Sequence, residues 1–211
     1  MRMFQAVQGK GMIILANDNR SIMIVGVGGQ GSLLASKLLG HVLLAKGYDV
    51  KVSEVHGMSQ RGGSVVTYVK YGDKVYSPTV ELGEADLIIS FELLEAARYV
   101  PYLKENATII VNAQRIDPMP VITGAAAYPG NIVEKIRAKG IHIADVNALE
   151  LALQAGNAKA VNVVLMGVLS NYMDIDASVW RTAIDECVPE RFREINHKAF
   201  EIGKNTKVTV Q

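Results

Sequence analysis

Two glycine-rich stretches of this 211-residue sequence carry the polar side chains whose types and spacing could do chemistry. The first joins an apolar run to a helix-like run, and Gly26, Gly28 and Gly31 fit the pattern G-x-G-x-x-G, with Gly29 and Gln30 between them. Glycines there allow a tight turn, and the free N–H groups of a following helix favour an anion. The pattern therefore predicts either a phosphate contact or a turn that only packs closely.

One hypothesis for this turn is a dinucleotide site. Glu54 ends the second predicted strand, where a dinucleotide-binding domain places the acid that holds an adenosine ribose. This hypothesis would make the chain a free-standing NAD-dependent oxidoreductase. Against it, Gly29 and Gln30 make the turn unusual, and Glu54 leads directly into the second glycine-rich stretch. Because isolated matches to the glycine pattern are often false, both interpretations stay open.

The second stretch is EVHGMSQRGGSV, residues 54 to 65. It leaves the carboxyl end of a predicted strand, the edge at which open α/β sheets bind ligands and partners, so we expect it beside residues 26–31. The planar guanidinium of Arg61 suits a substrate carboxylate, a phosphate or an acidic partner residue. The alternative is a polar turn in which His56 and Arg61 only bind loop carbonyls. The candidate residues are Glu54, His56, Gly57, Met58, Ser59, Gln60, Arg61, Gly62, Gly63 and Ser64.

The composition argues against several other kinds of function. Lysines and arginines are scattered and the net charge is +1, so we expect no nucleic-acid partner. Cys187 is the only cysteine, which excludes an internal disulfide and a cysteine-ligated cluster within one chain and fits a reducing, cytoplasmic setting. The longest apolar stretch, which starts at Ala160, has about 14 residues, fewer than the roughly 20 that span a bilayer. We therefore expect a soluble protein that does not enter the membrane.

Short β-branched runs alternate with longer helix-like runs. This alternation predicts a Rossmann-like α/β fold, an open and mostly parallel sheet with helices on both faces. Residues 63–78 differ, because two strand-like runs flank Tyr71-Gly72-Asp73 and predict an inserted antiparallel hairpin. From Ala160 onward the pattern predicts a helical C-terminal part. The predicted buried strands are residues 21–25, 48–53, 85–90, 107–111 and 141–145.

The length, with 49% hydrophobic and 20% charged residues, suits a single domain. We assign residues 21–203 to this domain, residues 1–20 to an N-terminal extension and residues 204–211 to a tail. The apolar run in the extension is too short for the core of a signal peptide. Residues 31–47 predict a helix whose buried face consists of Leu33, Leu34, Leu38, Val42 and Ala45.

Four phrases of the sequence carry a resemblance: IVGVGGQGSLLASKLLG, DVKVSEVHGMSQRGGSVVTYVKYGDKVYSP, ADLIISFELLEAARYVPYL and TIIVNAQRIDP. Together they resemble the small, gamma-type subunit of 2-oxoacid:ferredoxin oxidoreductases over about Ser21 to Gly203. The second phrase is most similar to the beta subunit of indolepyruvate ferredoxin oxidoreductases, whereas subunits for pyruvate and 2-oxoglutarate usually differ there. Lys70 departs from the pattern, which has arginine, and this weakens the case for a bidentate anion contact at that position.

The resemblance implies an enzyme that oxidatively decarboxylates a 2-oxo acid such as indolepyruvate to an acyl-CoA and CO2 while it reduces ferredoxin. It implies a large partner subunit that carries thiamine diphosphate and iron–sulfur clusters, with CoA as co-substrate of the complex and ferredoxin bound through the complex. This chain alone then binds no cofactor, supplies no catalytic residue and is inactive. Its part is to complete the active-site wall and the interface, and in isolation it can form a homodimer. A non-catalytic assembly module remains the alternative.

Overall fold

The structure, a computed structural model, describes residues 19–56 and 63–207. Its centre is a six-stranded sheet with the strand order β2-β3-β1-β4-β5-β6. The strands are β1 (Arg20–Val27), β2 (Asp49–His56), β3 (Ser64–Gly72), β4 (Ala85–Ser90), β5 (Leu103–Asn112) and β6 (His142–Val146). The α-helices are α1 (Ser32–Ala45), α2 (Leu93–Tyr99), α3 (Met119–Ile122), α4 (Ile132–Arg137), α5 (Ala148–Ala155), α6 (Val161–Ser170), α7 (Ala177–Cys187) and α8 (Glu190–Asn205).

The sheet is mixed, with parallel pairs in the majority. Strands β1, β4, β5 and β6 run parallel to one another. Strand β3 is antiparallel to both of its neighbours, β1 and β2. The five predicted strands, the open and mostly parallel sheet and the helical C-terminal part are confirmed. The predicted burial of β2 is wrong, because β2 is an edge strand and Val52 and Val55 are exposed. The antiparallel β3 occupies the place beside β1 that β2 takes in a Rossmann sheet.

The inserted hairpin exists, but its predicted position is wrong. Its two strands are β2 and β3, and the run after Tyr71-Gly72-Asp73 forms no strand. Both edges of β3 are already paired, so this run has no free edge of β3 beside it. Instead the Val75 N–H donates to Asp49 at 3.0 Å, and Lys74 forms an ion pair with the same carboxylate at 3.6 Å.

Each face of the sheet carries its own hydrophobic core. Successive strand residues point to opposite faces, so Ile22 and Ile24 pack with α1 and α5 to α8, whereas Met23 and Val25 pack with α2 and α4. The predicted placement of helices on both faces is therefore confirmed. The two cores hold the sheet from either side and leave its carboxyl edge to the loops.

Helix α1 is rotated from the predicted orientation. Its buried stripe follows Ala35, Leu38, Leu39, Val42 and Leu43, so the predicted Leu38 and Val42 are buried as expected. Leu33 is 66% exposed and Ala45 is also exposed, which contradicts their predicted burial. The helix begins only at Ser32, and a period of 3.6 residues counted from Ala35 places Leu33 on the opposite side.

Helices α6 and α8 cross at a point where two glycines bring their backbones together. A Cβ atom on Gly203 would lie 2.1 Å from the Val164 carbonyl oxygen, and a Cβ atom on Gly167 would lie 2.2 Å from the Phe200 carbonyl oxygen. Real Cβ atoms do not approach backbone this closely. Any larger residue at either position must therefore push the two helices apart.

We predict that Gly203→Ala lowers the free energy of unfolding by about 1 to 3 kcal/mol, because the added methyl group meets backbone that cannot rotate away. The matched control is Gly40→Ala in α1, where an added Cβ meets nothing within 4 Å. Higher helix propensity should make that variant neutral or more stable by about 0.5 to 1 kcal/mol. Urea denaturation of both variants measures the difference, and equal midpoints would contradict the close crossing.

Candidate functional site

The two glycine-rich stretches meet at one edge of the sheet. The Gly28 N–H donates to the Gly63 carbonyl at 3.0 Å, and Val27 lies opposite Ser64 in the pairing of β1 with β3. His56 ends β2 at the same edge, separated from Gly26 by Val65 of β3. The predicted site residues Gly57, Met58, Ser59, Gln60, Arg61 and Gly62 lie outside the described residues, so their role stays a prediction.

The side chain of Gln30 points into the protein. Its Oε1 accepts a hydrogen bond from the Val27 N–H at 2.7 Å. Its Nε2 donates to the Phe91 carbonyl at 3.0 Å and to Gln114 Oε1 at 3.4 Å. Gln30 thus closes the glycine turn from within and connects it to the residues that follow β4 and β5.

Asn112, the last residue of β5, extends this group of amides. Its Nδ2 donates to the Phe91 carbonyl at 3.2 Å and to Gln114 Oε1 at 3.0 Å. Its Oδ1 accepts from the Ala148 N–H at 3.1 Å, at the start of α5. Asn112 is 1% exposed, so the bonds replace contacts with water. We call the side chains of Gln30, Asn112 and Gln114 the amide network.

The glycines of the turn are needed for different reasons. Gly29 has φ 94° and Gly31 has φ 85°, a left-handed backbone that favours glycine. A Cβ atom on Gly29 would meet nothing within 4 Å, whereas one on Gly31 would lie 2.7 Å from Asn162 Nδ2. A Cβ atom on Gly26 would lie 2.9 Å from both Gln30 Oε1 and Phe91 Cβ. Close packing within the chain therefore explains Gly26 and Gly31, while Gly29 is exposed.

The position of Glu54 disfavours the dinucleotide hypothesis. Glu54 lies opposite Thr67 of β3, and Thr67 lies opposite Ile24 of β1. Neighbouring strands are about 4.8 Å apart, so the intervening β3 puts β2 about 10 Å from β1. In a dinucleotide-binding fold the strand with the ribose-binding acid is the direct neighbour of the first strand. The residues are present, but the strand order separates them.

Two buried carboxylates anchor the loops around this edge. Ser64 Oγ donates to Glu95, which is 5% exposed, and Arg98 Nε donates to the same carboxylate at 3.1 Å. Glu95 therefore fixes the chain where it enters β3, directly after residues 57–62. This contact ties one end of the predicted functional loop to the start of α2.

Glu92, which is 1% exposed, holds the long connection between β5 and α4. Its carboxylate accepts bonds from the Ile116 N–H at 3.1 Å, from the Glu95 N–H at 3.0 Å and from the hydroxyl of Tyr128. Burial, together with this bond to Glu92, raises the pKa of Tyr128 above its ordinary value. Arg115 stacks over the Tyr128 ring, 4.4 Å from its centroid.

A cavity of about 350 Å³ opens beside this connection, but its cations are already paired. Arg115 contacts Asp117 at 2.6 Å and Arg137 contacts Asp145 at 2.5 Å. An anionic ligand would have to compete with both carboxylates. We therefore assign the candidate site to the two glycine-rich stretches and not to this cavity.

Sequence reasoning missed Glu92, Glu95, Asn112 and Gln114. A usable signal was present, since polar residues directly follow two buried strands, in Ser90-Phe91-Glu92 and Asn112-Ala113-Gln114. The carboxyl ends of neighbouring parallel strands meet at one edge, so such residues belong to the same region as the glycine turn.

Lys70 lies away from this region. It stands near the other end of β3, and its Nζ forms an ion pair with Glu84 Oε1 at 2.6 Å. The side chain of Lys70 is 15% exposed. Its role in the described structure is this ion pair.

In residues 19–56 and 63–207, no three His, Cys, Asp or Glu side chains come close enough to hold a metal ion. None of the helices in this part of the chain is long and apolar enough to cross a membrane.

Comparison with known proteins identifies the family. Residues 21–206 match the family described as pyruvate ferredoxin/flavodoxin oxidoreductase. The chain belongs to this family. It is 45% identical over 190 residues to the indolepyruvate oxidoreductase subunit IorB of Pyrococcus horikoshii, an alignment that covers 87% of this chain and 93% of that protein. It is 33% identical over 189 residues to the corresponding subunit of Methanothermobacter thermautotrophicus, with 88% and 96% covered.

Two solved structures share the fold of this chain. Pyruvate oxidoreductase subunit PORC of Thermotoga maritima aligns with a TM-score of 0.69 at 19% identity, covering 90% of this chain and 97% of that one. The gamma subunit of a keto/oxoacid ferredoxin oxidoreductase from Geobacter sulfurreducens aligns with a TM-score of 0.64 at 23% identity, covering 87% and 95%. The resemblance found in the sequence motifs is thus confirmed as membership of this oxidoreductase family.

We predict that Gly31→Ala destabilises the chain more than Gly29→Ala does. Both substitutions put alanine at a left-handed φ, which costs about 1 to 2 kcal/mol, but only the methyl group at residue 31 also collides with Asn162. Replacing Asn162 by alanine should remove the additional cost. In a double-mutant cycle by urea denaturation, Gly31→Ala should then cost about as much as Gly29→Ala. An unchanged cost in the absence of Asn162 would contradict the contact.

Proposed function

We propose that this chain is the small subunit of an indolepyruvate, or aryl-pyruvate, ferredoxin oxidoreductase. The identity to several subunits named for indolepyruvate supports the substrate class. In the proposed reaction the bond between C1 and C2 of the 2-oxo acid breaks and CO2 leaves. The acyl carbon forms a thioester with the sulfur of CoA, the thiol proton is released, and two electrons pass to ferredoxin.

The redox chemistry is assigned to a larger partner subunit. Cys187 is the only thiol of this sequence and is partly buried, so it cannot by itself ligate an iron–sulfur cluster. Thiamine diphosphate on the partner supplies the carbanion chemistry. The residues of this chain would shape the wall of the active site and orient CoA or the oxo acid.

The observation that carries this assignment is the meeting of both glycine-rich stretches at the carboxyl edge of the sheet. Helix α1 begins there with no side-chain cap, and its first backbone bond runs from the Ala35 N–H to the Gly31 carbonyl. The N–H groups of Ser32, Leu33 and Leu34 precede that bond, and such groups favour an anion. A phosphate of CoA supplies that charge, and Arg61 in the neighbouring stretch adds a second anion-binding group.

Reconstitution tests this assignment. The purified chain alone should reduce neither ferredoxin nor NAD with any 2-oxo or 2-hydroxy acid. Co-expression with the large subunit should give a complex that reduces ferredoxin when indolepyruvate and CoA are both present. If the chain alone reduced NAD, it would be a free-standing dehydrogenase, and if the large subunit were equally active without it, the chain would be only an assembly module.

We predict that Arg61→Ala in the assembled complex lowers kcat/KM for one substrate about tenfold to a hundredfold, the expected cost of one charge-assisted contact. Steady-state kinetics with indolepyruvate and CoA varied separately identify which substrate Arg61 contacts. His56→Ala is measured in the same way. The matched control is Arg181→Ala, because Arg181 forms an exposed pair with Glu201 in the C-terminal helices. If kcat/KM of both loop variants stayed within about twofold of the parent value, this stretch would be only a polar turn.

A further inference from the structure

We propose that Gln30 is a positioning residue: its side-chain amide fixes the backbone of the glycine turn, and the other two amides of the network fix the orientation of Gln30. The sequence places Gln30 between the glycines of the turn and gives no sign of where its side chain points. The structure turns its side chain inward, and the amide contacts groups from three neighbouring strand ends.

The partners of Gln30 require an amide in one orientation. Oε1 faces a donor, the Val27 N–H, and Nε2 faces two acceptors, the Phe91 carbonyl and Gln114 Oε1. Rotating the amide by half a turn would oppose donor to donor and acceptor to acceptor. A carboxylate of the same shape would satisfy Val27 but repel both acceptors. The site is therefore specific for glutamine over glutamate.

The far end of the network is fixed in the same way. Asn112 Oδ1 accepts from the Ala148 N–H, so its Nδ2 must point to Gln114 Oε1 and the Phe91 carbonyl. Gln114 consequently presents an oxygen to Gln30. Two backbone N–H groups, one at the end of β1 and one at the start of α5, thus determine the direction of every amide between them.

The turn has few other bonds to hold it. Its own backbone bond, from the Gln30 N–H to the Val27 carbonyl, is 3.3 Å long. The Gly28 N–H is bound to Gly63, and Gly29 has no side chain and is exposed. Two adjacent glycines have a wide choice of backbone conformations. The side chain of Gln30 restricts them from the inner side, while Asn162 Nδ2 donates to the Gly31 carbonyl at 3.3 Å at the end of the turn.

The first test concerns the turn itself and needs no substrate. Gln30→Met keeps the length of the side chain and removes its hydrogen bonds. Gln30→Glu keeps the shape of the side chain but replaces the Nε2 donor by an oxygen acceptor. In hydrogen-exchange NMR of the full chain, Gln30→Met should lose at least about tenfold of the protection of the Val27 N–H, whereas Gln30→Glu, which still offers Val27 an acceptor but repels the Phe91 carbonyl and Gln114, should lose less. The amide signals of Gly28 and Gly29 should also shift. The matched control is Gln154→Glu at an exposed position of α5. It should change neither the protection of the Val27 N–H nor the amide signals of Gly28 and Gly29.

Gln114→Leu provides a variant that leaves the turn's own residues intact. It removes the acceptor that Gln30 and Asn112 share, and we expect a smaller loss of protection at Val27 in the same direction. This variant also keeps the test decisive if substitution of Gln30 prevents folding. Unchanged protection at Val27 in Gln114→Leu and in every folded Gln30 variant would overturn the positioning role.

The second test concerns the consequence for catalysis, which rests on the proposed function. In the assembled complex, Gln30→Met should raise KM for CoA about tenfold and leave KM for indolepyruvate within about twofold. A general loss of stability would instead lower the amount of active enzyme without separating the two KM values. If exchange shows a loosened turn while KM for CoA is unchanged, the positioning role holds and the assignment of the turn to CoA fails.

Discussion

Buried backbone groups need partners where the strands of a sheet stop, and this requirement shapes the whole carboxyl edge of the protein. The Phe91 carbonyl, directly after β4, is satisfied by two amide donors, Gln30 and Asn112. An unsatisfied buried carbonyl would cost about 1 to 3 kcal/mol. The same two side chains bind the end of β1 and the start of α5. The glycine turn, the connection after β5 and helix α5 are therefore positioned by one set of hydrogen bonds.

The groups that hold the glycine turn from within are amides, whose charge does not change with pH. Carboxylates serve a different purpose nearby, because Glu92 and Glu95 are buried acceptors that tie loops to the start of α2. Amides thus hold the glycine turn from within, buried carboxylates hold the loops beside it, and Gly29 presents exposed backbone.

The order of the strands decides whether the glycine pattern can bind a dinucleotide. Because antiparallel β3 lies between β1 and β2, the acid at Glu54 is one strand too far for the ribose contact of a dinucleotide-binding fold. The turn is also filled by side chains of the same chain, namely Gln30 below Gly26 and Asn162 below Gly31. The motif and the fold class alone therefore do not assign a function to this turn.

The sequence by itself determined the local elements: five strands, the helices on both faces, the glycine turn and the motifs that identify the family. These follow from periodicity, propensity and phrases of adjacent residues. The tertiary structure alone decided that β3 pairs with β1 and β2, that Leu33 is exposed and that Gln30 points inward. Gln30 contacts Phe91 and Gln114 across 61 and 84 residues of chain, and no local pattern encodes such partners. Strand pairing and hydrogen-bond partners depend on which edges and donors remain free once the chain has folded, whereas helix and strand type depend mainly on neighbours in the sequence.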